Sequence, residues 1–237
     1  MTEMLYLRDH YMKEFDASVI KVEDNNKIIL DRTVFYPESG GQSTDLGVII
    51  RKSDNQKFTV LRVIKQKGEI VHEVVESGIS VDDEVTGVID WERRYILMRM
   101  HTAAHILSAV INKETGALIT GNQLGVDKSR IDFDLENFDR DKIKEYFQKA
   151  NEIVTRTLPV KFYFMKREQA MEIPDVVKLA KALPPQVSEL RLVEIEGVDL
   201  QADGGTQVGN TSEIGTIELV SIENKGKNNR RVYYKVL

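Results

Sequence analysis

The sequence predicts an α+β protein with a small β-barrel over residues 1–91 and an α/β two-layer domain with a mostly antiparallel sheet over residues 92–237. Three observations predict this class. Residues 17–91 contain short β-rich runs broken by turn signals, and residues 93–112 carry apolar side chains at helical spacing. The later helices and strands then follow one another without a regular βαβ repeat. The change of pattern near Trp91 marks the predicted domain boundary.

The strands of the first domain are separated by short turn signals. The segment SVIKVEDNNKIILDRT places two β-rich runs around the turn-forming DNN, which predicts a hairpin. Further short strands are broken at SDNQ and KQKG, and EVTGVIDW supplies another strand. Strands at such close spacing predict a small barrel or a sandwich, of which we favour the barrel.

The second domain is predicted to open with the helix over residues 93–112. A second helix is expected in DRDKIKEYFQKANEIVTRT, and Pro159 shortly after this segment ends it. A third helix is expected in REQAMEIPDVVKLAKAL, with an interruption at Pro174. Strands are predicted in the remaining β-rich segments, which are VKFYFMKR, SELRLVEIEG, EIGTIELVSIE and RRVYYKVL.

Composition excludes several classes of protein. The chain has 237 residues with 41% hydrophobic and 30% charged residues, as in ordinary soluble globular proteins. Its apolar runs are too short to cross a bilayer, and its first residues lack the features of a secretory signal, so we expect a cytoplasmic protein without a membrane partner. The absence of cysteine excludes disulfides, thiolate nucleophiles and thiolate zinc ligands. The net charge of -5 argues against a general DNA or RNA coat, but permits a local patch that grips one nucleic acid.

The segment MRMHTAAHIL sets His101 and His105 four residues apart within the predicted helix. Positions i and i+4 lie on the same helix face, so both imidazoles can meet one metal ion. The pair flanks the apolar stripe and is expected at the edge of the core, facing a cleft. Ordinary hydrogen-bonded histidines are the alternative. The motif HExxH is absent, so the chain lacks the glutamate base of that metalloprotease motif.

Two glycine-rich segments form a second group of candidates. TVFYPESGGQSTDLG covers residues 33–47, and LQADGGTQVGNTSEIG covers residues 200–215. Either segment can be a tight connection or a loop that brings backbone close to a ligand. In the second segment, Asp203 and Gln207 could both direct side-chain oxygens inward from a turn.

FYPESGGQ, HTAAH and DGGTQVGNTSEIG follow one another in this order along the chain. The combination resembles the editing region of alanyl-tRNA synthetase, and it is most similar to the free-standing AlaX proteins in their longer form with a glycine-rich motif. The resemblance covers nearly the whole chain, a length that leaves no room for an aminoacylation domain. It implies a hydrolase that deacylates Ser-tRNA(Ala) in trans, with Gly-tRNA(Ala) as a second substrate.

The resemblance also implies a zinc site. The family pattern pairs HxxxH with CxxxH, and all four residues bind zinc. His101 and His105 match the first pair, whereas Asp203 stands in place of the cysteine and Gln207 in place of the second histidine. A carboxylate oxygen is an accepted zinc ligand, while a neutral amide oxygen suits harder cations better. The expected centre is therefore zinc on His101, His105 and Asp203 with an open position, and an empty site or another metal is the alternative.

In the family that this chain resembles, a threonine and the glutamine of GGQ are linked with the editing pocket. We therefore expect Thr33 to recognise the substrate hydroxyl and Gln42 to position the substrate. The alternatives are a strand-end threonine and a solvated loop amide. Asp203 could act as general base if it does not bind the metal. The sequence leaves open whether the metal activates water or orients the substrate.

Contacts with tRNA are expected from basic residues, which would position rather than specify the nucleic acid. These are Lys166, Arg167, Lys225, Lys227, Arg230 and Arg231. A solvated hairpin with a charged face is the alternative for the C-terminal four. Two other functions remain open, a tRNA-binding protein of the same fold without hydrolysis and a metal hydrolase of small aminoacyl esters. The sequence does not determine the oligomeric state.

Overall fold

The computed structural model of the protein describes residues 2–136, 139–173, 176 and 187–237. The chain divides into two compact units, Met1–Leu97 and Met98–Leu237. This division falls inside the long helix that begins at Trp91, the residue at which the sequence pattern changes. Among the described residues, no helix combines the length and the apolar character that are needed to cross a membrane.

The first unit is built on a closed antiparallel barrel. Its strands are β1 (Glu3–Met4), β2 (Glu14–Glu23), β3 (Lys27–Leu30), β4 (Arg32–Thr33), β5 (Gly47–Arg51), β6 (Lys57–Gln66), β7 (Glu69–Val74) and β8 (Glu84–Ile89). The barrel follows the order β2-β3-β7-β6-β5-β8, while β1 and β4 pair in parallel beside it. The prediction of an N-terminal barrel is confirmed.

The hairpin predicted at DNN has the backbone that its sequence favours. Strands β2 and β3 pair in antiparallel fashion, from Glu23 opposite Lys27 onwards. Between them, Asp24 and Asn25 adopt positive φ angles of 51° and 63°. Asp and Asn tolerate this left-handed region better than other non-glycine residues, and two such residues make the turn that matches strand twist. Apolar side chains that alternate along the strands fill the barrel, among them Val19, Ile28, Ile49, Phe58 and Val63.

A fully buried ion pair anchors the glycine-rich segment 33–47 within the first unit. Asp45 accepts from Nε of Arg94 at 3.0 Å and from the backbone N–H of Tyr36 at 2.7 Å. Arg94 also donates to the carbonyl of His10 at 3.1 Å. Both charged side chains are completely buried. Because both charges are buried and hydrogen-bonded to each other, removing one partner would leave an uncompensated charge, which typically costs about 3–5 kcal/mol.

The second unit combines helices with antiparallel sheets. Its elements are α1 (Trp91–Thr115, which crosses from the first unit), β9 (Ile119–Gln123), β10 (Ser129–Phe133), α2 (Arg140–Thr155), β11 (Val160–Lys166), α3 (Arg167–Met171), β12 (Glu189–Ile195), β13 (Asp199–Ala202), β14 (Ile217–Asn224) and β15 (Arg230–Val236). One sheet has the order β14-β15-β10-β9 and the other the order β11-β12-β13. The predicted α+β class with antiparallel sheets is confirmed.

The differences from the prediction are local. Strands β9, β10 and β13 were not predicted, because they are short and contain glycine or polar residues. The interrupted helix is described only as α3, and Pro174 with most of the residues after it lies outside the described residues.

Candidate metal centre

His101 and His105 share one face of helix α1 in the second unit. Their ring centroids lie 5.3 Å apart. The prediction placed them at the edge of the core, but they are only 4% and 6% exposed. Helix α1 spans both residues, so the predicted helix is confirmed, and the two imidazoles are buried among polar partners from a distant part of the chain.

Asp203 comes to this pair from the turn that follows β13. Its backbone N–H donates to the carbonyl of Arg191 at 3.0 Å, and Nε of Arg191 donates back to the carbonyl of Asp203 at 2.9 Å. One carboxylate oxygen lies 3.5 Å from Nε2 of His101, and the other lies 3.8 Å from Nε2 of His105. The structure thus brings together three residues that the sequence predicted as metal ligands.

Electrostatics keep the cluster in the protonation states that a metal requires. Burial lowers the pKa of His101 to about 4, so its imidazole is neutral at pH 7. Burial by itself would raise the pKa of Asp203, but the neighbouring imidazoles and Arg191 outweigh it, and the pKa lies below its usual value. The cluster therefore offers an ionised carboxylate beside a neutral imidazole at neutral pH.

The donor set fits a divalent cation. One ligand atom from each of His101, His105 and Asp203 lies within 4.8 Å of the others. Two imidazoles with a carboxylate form a ligand set that holds catalytic zinc, and the same set also suits other first-row metals. The geometry identifies a candidate metal centre but not the metal.

Gln207 faces the cluster with its amide nitrogen rather than its oxygen. Nε2 donates to Asp203 at 2.9 Å and lies 3.2 Å from Nε2 of His105, while Oε1 accepts from the hydroxyl of Thr102 at 2.7 Å. An amide nitrogen has no lone pair to offer a metal, so the expectation of Gln207 as a ligand is not met in this orientation. Half a turn of the amide would exchange the two atoms, and Nε2 could then donate to Thr102, whose hydroxyl also lies 3.1 Å from the carbonyl of Met98.

Asp199 is a member of this network that the sequence did not reveal. Its carboxylate lies 2.8 Å from Nδ1 of His105. Gln201 donates to both of its oxygens, at 3.1 and 2.9 Å. The polar pair Asp199 and Gln201, two residues apart, was the available signal, because such residues share one face of a strand. This signal was missed because the strand itself was not predicted.

Thr33 and Gln42 belong to the first unit and are both fully buried. The hydroxyl of Thr33 lies 2.9 Å from Nε2 of His72 and accepts from the backbone N–H of Phe35 at 3.1 Å. Gln42 closes a tight turn with Ser39, with backbone hydrogen bonds of 2.9 and 3.2 Å in the two directions. The alternative of Gln42 as a solvated loop amide is wrong, whereas substrate recognition by Thr33 and Gln42 stays a prediction.

The turn at Ser39 explains the paired glycines of the motif. Gly40 and Gly41 adopt φ angles of 58° and 84°. Two successive residues in this region are costly for side chains with a Cβ atom, which accounts for the glycine pair without any ligand.

The predicted tRNA contacts differ in their surroundings. Arg230 is only 7% exposed, and its guanidinium donates to loop carbonyls, including that of Gly226 at 2.6 Å. The expectation that Arg230 contacts phosphate is therefore not supported, because this side chain holds the β14–β15 loop together. Arg231 forms a two-point ion pair with Asp132, with distances of 2.7 and 2.9 Å.

The remaining basic candidates are more accessible. Lys166, Lys225 and Lys227 are exposed, and Arg167 is partly exposed. Nζ of Lys225 lies 2.7 Å from a carboxylate oxygen of Glu223. A surface pair of this kind is weak, so Lys225 can still turn towards a phosphate. These four residues remain candidates for tRNA contact.

Comparison with known proteins gives a consistent picture. Residues 2–93 match the family described as tRNA synthetases class II (A), and residues 190–233 match the threonyl and alanyl tRNA synthetase second additional domain. The alanyl-tRNA editing protein AlaX-M of Methanosarcina barkeri is 51% identical over 242 residues, which cover 100% of both chains. The AlaX-M protein of Saccharolobus solfataricus is 46% identical over 238 residues, covering 100% of this chain and 99% of that protein.

A longer relative matches over a part of its length. An alanine–tRNA ligase of Saccharolobus islandicus is 37% identical over 227 residues, which make up 94% of this chain but 25% of the ligase. The similarity thus concerns one region of a larger protein. Asp203, Gln207 and Asp199 all lie within the part of this chain that matches the second additional domain.

Proposed function

Because this chain belongs to the AlaX family of free-standing alanyl-tRNA editing proteins, which are aminoacyl-tRNA deacylases, we propose that it hydrolyses the ester of tRNA(Ala) mischarged with serine, with glycine as a second substrate. We propose further that His101, His105 and Asp203 hold a zinc ion for this reaction. The observation that supports the metal-dependent reaction is the convergence of these three side chains within 4.8 Å of one another.

The proposed choice of serine follows from the limits of molecular recognition. A small site built for alanine rejects an isostere with one added hydroxyl by only about 10²-fold, so a second, hydrolytic step is needed. An editing site that hydrogen-bonds the serine hydroxyl has the easier task. When the tRNA carries alanine, the group that would bind the serine hydroxyl has no hydrogen-bond partner. Discrimination between serine and alanine can then reach about 10⁴.

We assign recognition of the serine hydroxyl to Thr33 and positioning of the substrate to Gln42. The contacts of Thr33 with His72 and Phe35 hold its hydroxyl in one orientation and leave one lone pair to accept a hydrogen bond from a serine hydroxyl. A preorganised hydroxyl loses little entropy when it meets a ligand. Replacing Thr33 with valine, with serine as the conservative control, is expected to reduce the preference for Ser-tRNA(Ala) over Ala-tRNA(Ala) in the valine variant alone.

The chain's own groups suit ester hydrolysis. An aminoacyl ester is already activated compared with an amide, so correct placement of water and of the carbonyl supplies much of the rate. If Asp203 does not bind the ion, its ionised carboxylate can instead orient a water molecule and act as the general base. Bound zinc would add Lewis-acid polarisation of the substrate or a lowered pKa of water.

The proposed tRNA contacts are Lys166, Arg167, Lys225 and Lys227, which carry positive charge at accessible positions. Phosphate contacts of this type release counterions, so affinity for tRNA(Ala) is expected to be modest and to fall with salt, given the net charge of -5. Binding that does not change with salt would contradict this assignment.

The decisive experiment is a deacylation assay on tRNA(Ala) charged with serine, glycine or alanine. The protein is used as purified, after chelation, and after return of zinc, cobalt or manganese, beside metal analysis of untreated protein. We expect rapid loss of serine, slow loss of alanine, inactivation by the chelator and recovery with zinc. Full activity after chelation would refute the metal role, and equal rates for serine and alanine would refute the substrate.

Two further arms test the alternative functions. An ester that persists under all conditions, with tRNA still bound, would indicate a binding protein without hydrolysis. A free seryl ester cleaved as fast as charged tRNA would indicate a hydrolase of small aminoacyl compounds.

A further inference from the structure

His105 lies between two groups of partners that fix where its proton resides. On one side, Nε2 is 3.2 Å from the amide nitrogen of Gln207, which can only donate a hydrogen bond. With the amide in this orientation Nε2 accepts, which places the ring proton on Nδ1. On the other side, Nδ1 lies 2.8 Å from the carboxylate of Asp199. The carboxylate of Asp199 only accepts, so this contact requires the Nδ1–H tautomer by itself, and the orientation of the Gln207 amide agrees with it.

Asp199 has the properties of a fixed acceptor. Its side chain is fully buried, and the amide nitrogen of Gln201 donates to both of its oxygens. Asp199 and Gln201 lie on one face of β13, which pairs along its length with β12 from Ile195 opposite Asp199 to Leu192 opposite Ala202. The carboxylate is therefore held by a paired strand and by a side-chain amide, not by a loop.

We propose that Asp199 is a positioning residue for the metal centre: it holds His105 in the Nδ1–H tautomer, so that the lone pair of Nε2 points into the space shared with His101 and Asp203. Carboxylates that orient ligand imidazoles in this way contribute about 10- to 100-fold to metal affinity. The inference rests on the proposed function, in which these three side chains hold a cation. Gln201 supports Asp199 and belongs to the same chain of contacts.

The test uses the full chain and two readouts that do not depend on deacylation. Cobalt titration, followed by its absorption spectrum and by competition with zinc, measures cation affinity. Long-range ¹H–¹⁵N correlation spectra of metal-free protein report which ring nitrogen of His105 carries the proton. The variant is Asp199→Asn, which keeps the size of the side chain but adds an N–H that can donate to Nδ1. Asp132→Asn is the matched control, because it makes the same change at a buried carboxylate of the second unit that pairs with Arg231.

We expect about 10- to 100-fold weaker cobalt binding for Asp199→Asn and a loss of the pure Nδ1–H tautomer, with the Asp132→Asn protein unchanged in both. Gln201→Leu leaves the contact with His105 but removes its support, and it is expected to weaken binding by a smaller factor. This variant also serves as the test if Asp199→Asn does not fold.

Two results would overturn the inference: a proton on Nε2 of His105 in the metal-free wild-type protein, or cobalt binding by Asp199→Asn as tight as that of the wild type. These results are separate from a failure of the proposed function. If wild-type protein deacylates Ser-tRNA(Ala) after chelation, the metal role falls, while the ¹⁵N spectra still decide the role of Asp199.

Discussion

The buried imidazole of His72 leads to a quantitative prediction about the effect of acid on the barrel. Nδ1 of His72 donates to the carbonyl of Ile28 at 3.1 Å, so Nε2 accepts from the hydroxyl of Thr33 at 2.9 Å. Burial lowers the pKa of His72 from 6.5 to about 4, although the carbonyl of Ile28 acts in the opposite direction. Between about pH 6.5 and pH 4, acid therefore protonates this ring only when the barrel is unfolded. The variant that tests this effect is His72→Gln, because it removes the titrating group.

The size of the effect follows from the two pKa values. In the unfolded chain, His72 is protonated below about pH 6.5. In the folded barrel, it is protonated only below about pH 4. The stabilising contribution is therefore complete above pH 6.5 and is lost as the pH falls through this window. At about 1.36 kcal/mol for each pH unit, the whole window amounts to about 3 kcal/mol, of which about 2 kcal/mol is lost between pH 7.5 and pH 5.

The assay is urea unfolding of wild type and His72→Gln at pH 7.5 and pH 5. Carboxylates titrate alike in both proteins, so the difference between them isolates His72. The wild type is expected to lose about 2 kcal/mol more than the variant over this interval. Equal losses would refute the reasoning, as would an NMR titration of the His72 ring with a midpoint near 6.5.

Three further predictions concern the metal centre, the surface and the buried ion pair. Asp203→Asn replaces the anionic member of the cluster, and we expect weaker cobalt binding and loss of cation-dependent deacylation, measured with charged tRNA(Ala); unchanged binding would exclude Asp203 as a ligand. Lys227→Glu is expected to weaken tRNA(Ala) binding and to reduce its dependence on salt, measured by filter binding at several salt concentrations. Arg230→Ala is expected to lower the melting temperature and to leave the dependence of binding on salt unchanged. Arg94→Met is expected to cost about 3–5 kcal/mol of unfolding free energy in urea, and a loss near zero would show that Asp45 finds another partner.

The parts of the structure that the sequence predicted are those set by local rules. The turn at Asp24 and Asn25 follows from residues that tolerate positive φ, and the alignment of His101 with His105 follows from helical periodicity. Both features depend on fewer than about ten consecutive residues.

The parts that the sequence did not predict depend on partners far away in the chain. In the sequence, Asp199 resembles a polar loop residue. Its partner His105 lies 94 positions earlier in the chain and contacts it only in the folded protein. The orientation of Gln207 depends on the hydroxyl of Thr102, which is 105 positions away. Arg230 lies in a basic run typical of a surface, but carbonyls of its own loop and of Glu136 surround it. Folding creates these contacts, and the one local signal among them, the spacing of Asp199 and Gln201, does not identify His105 as the partner.

The buried pair of Asp45 and Arg94 has a consequence for protein engineering. If the segment 33–47 is transferred into another barrel, Arg94 has to be transferred with it. Without Arg94, the carboxylate of Asp45 would be buried without its counter-charge. Libraries that vary the tip from Ser39 to Gln42 have to keep this buried pair and also the positive φ angles that Gly40 and Gly41 supply. The segment can therefore be transferred intact only together with Arg94, which lies 49 positions beyond Asp45.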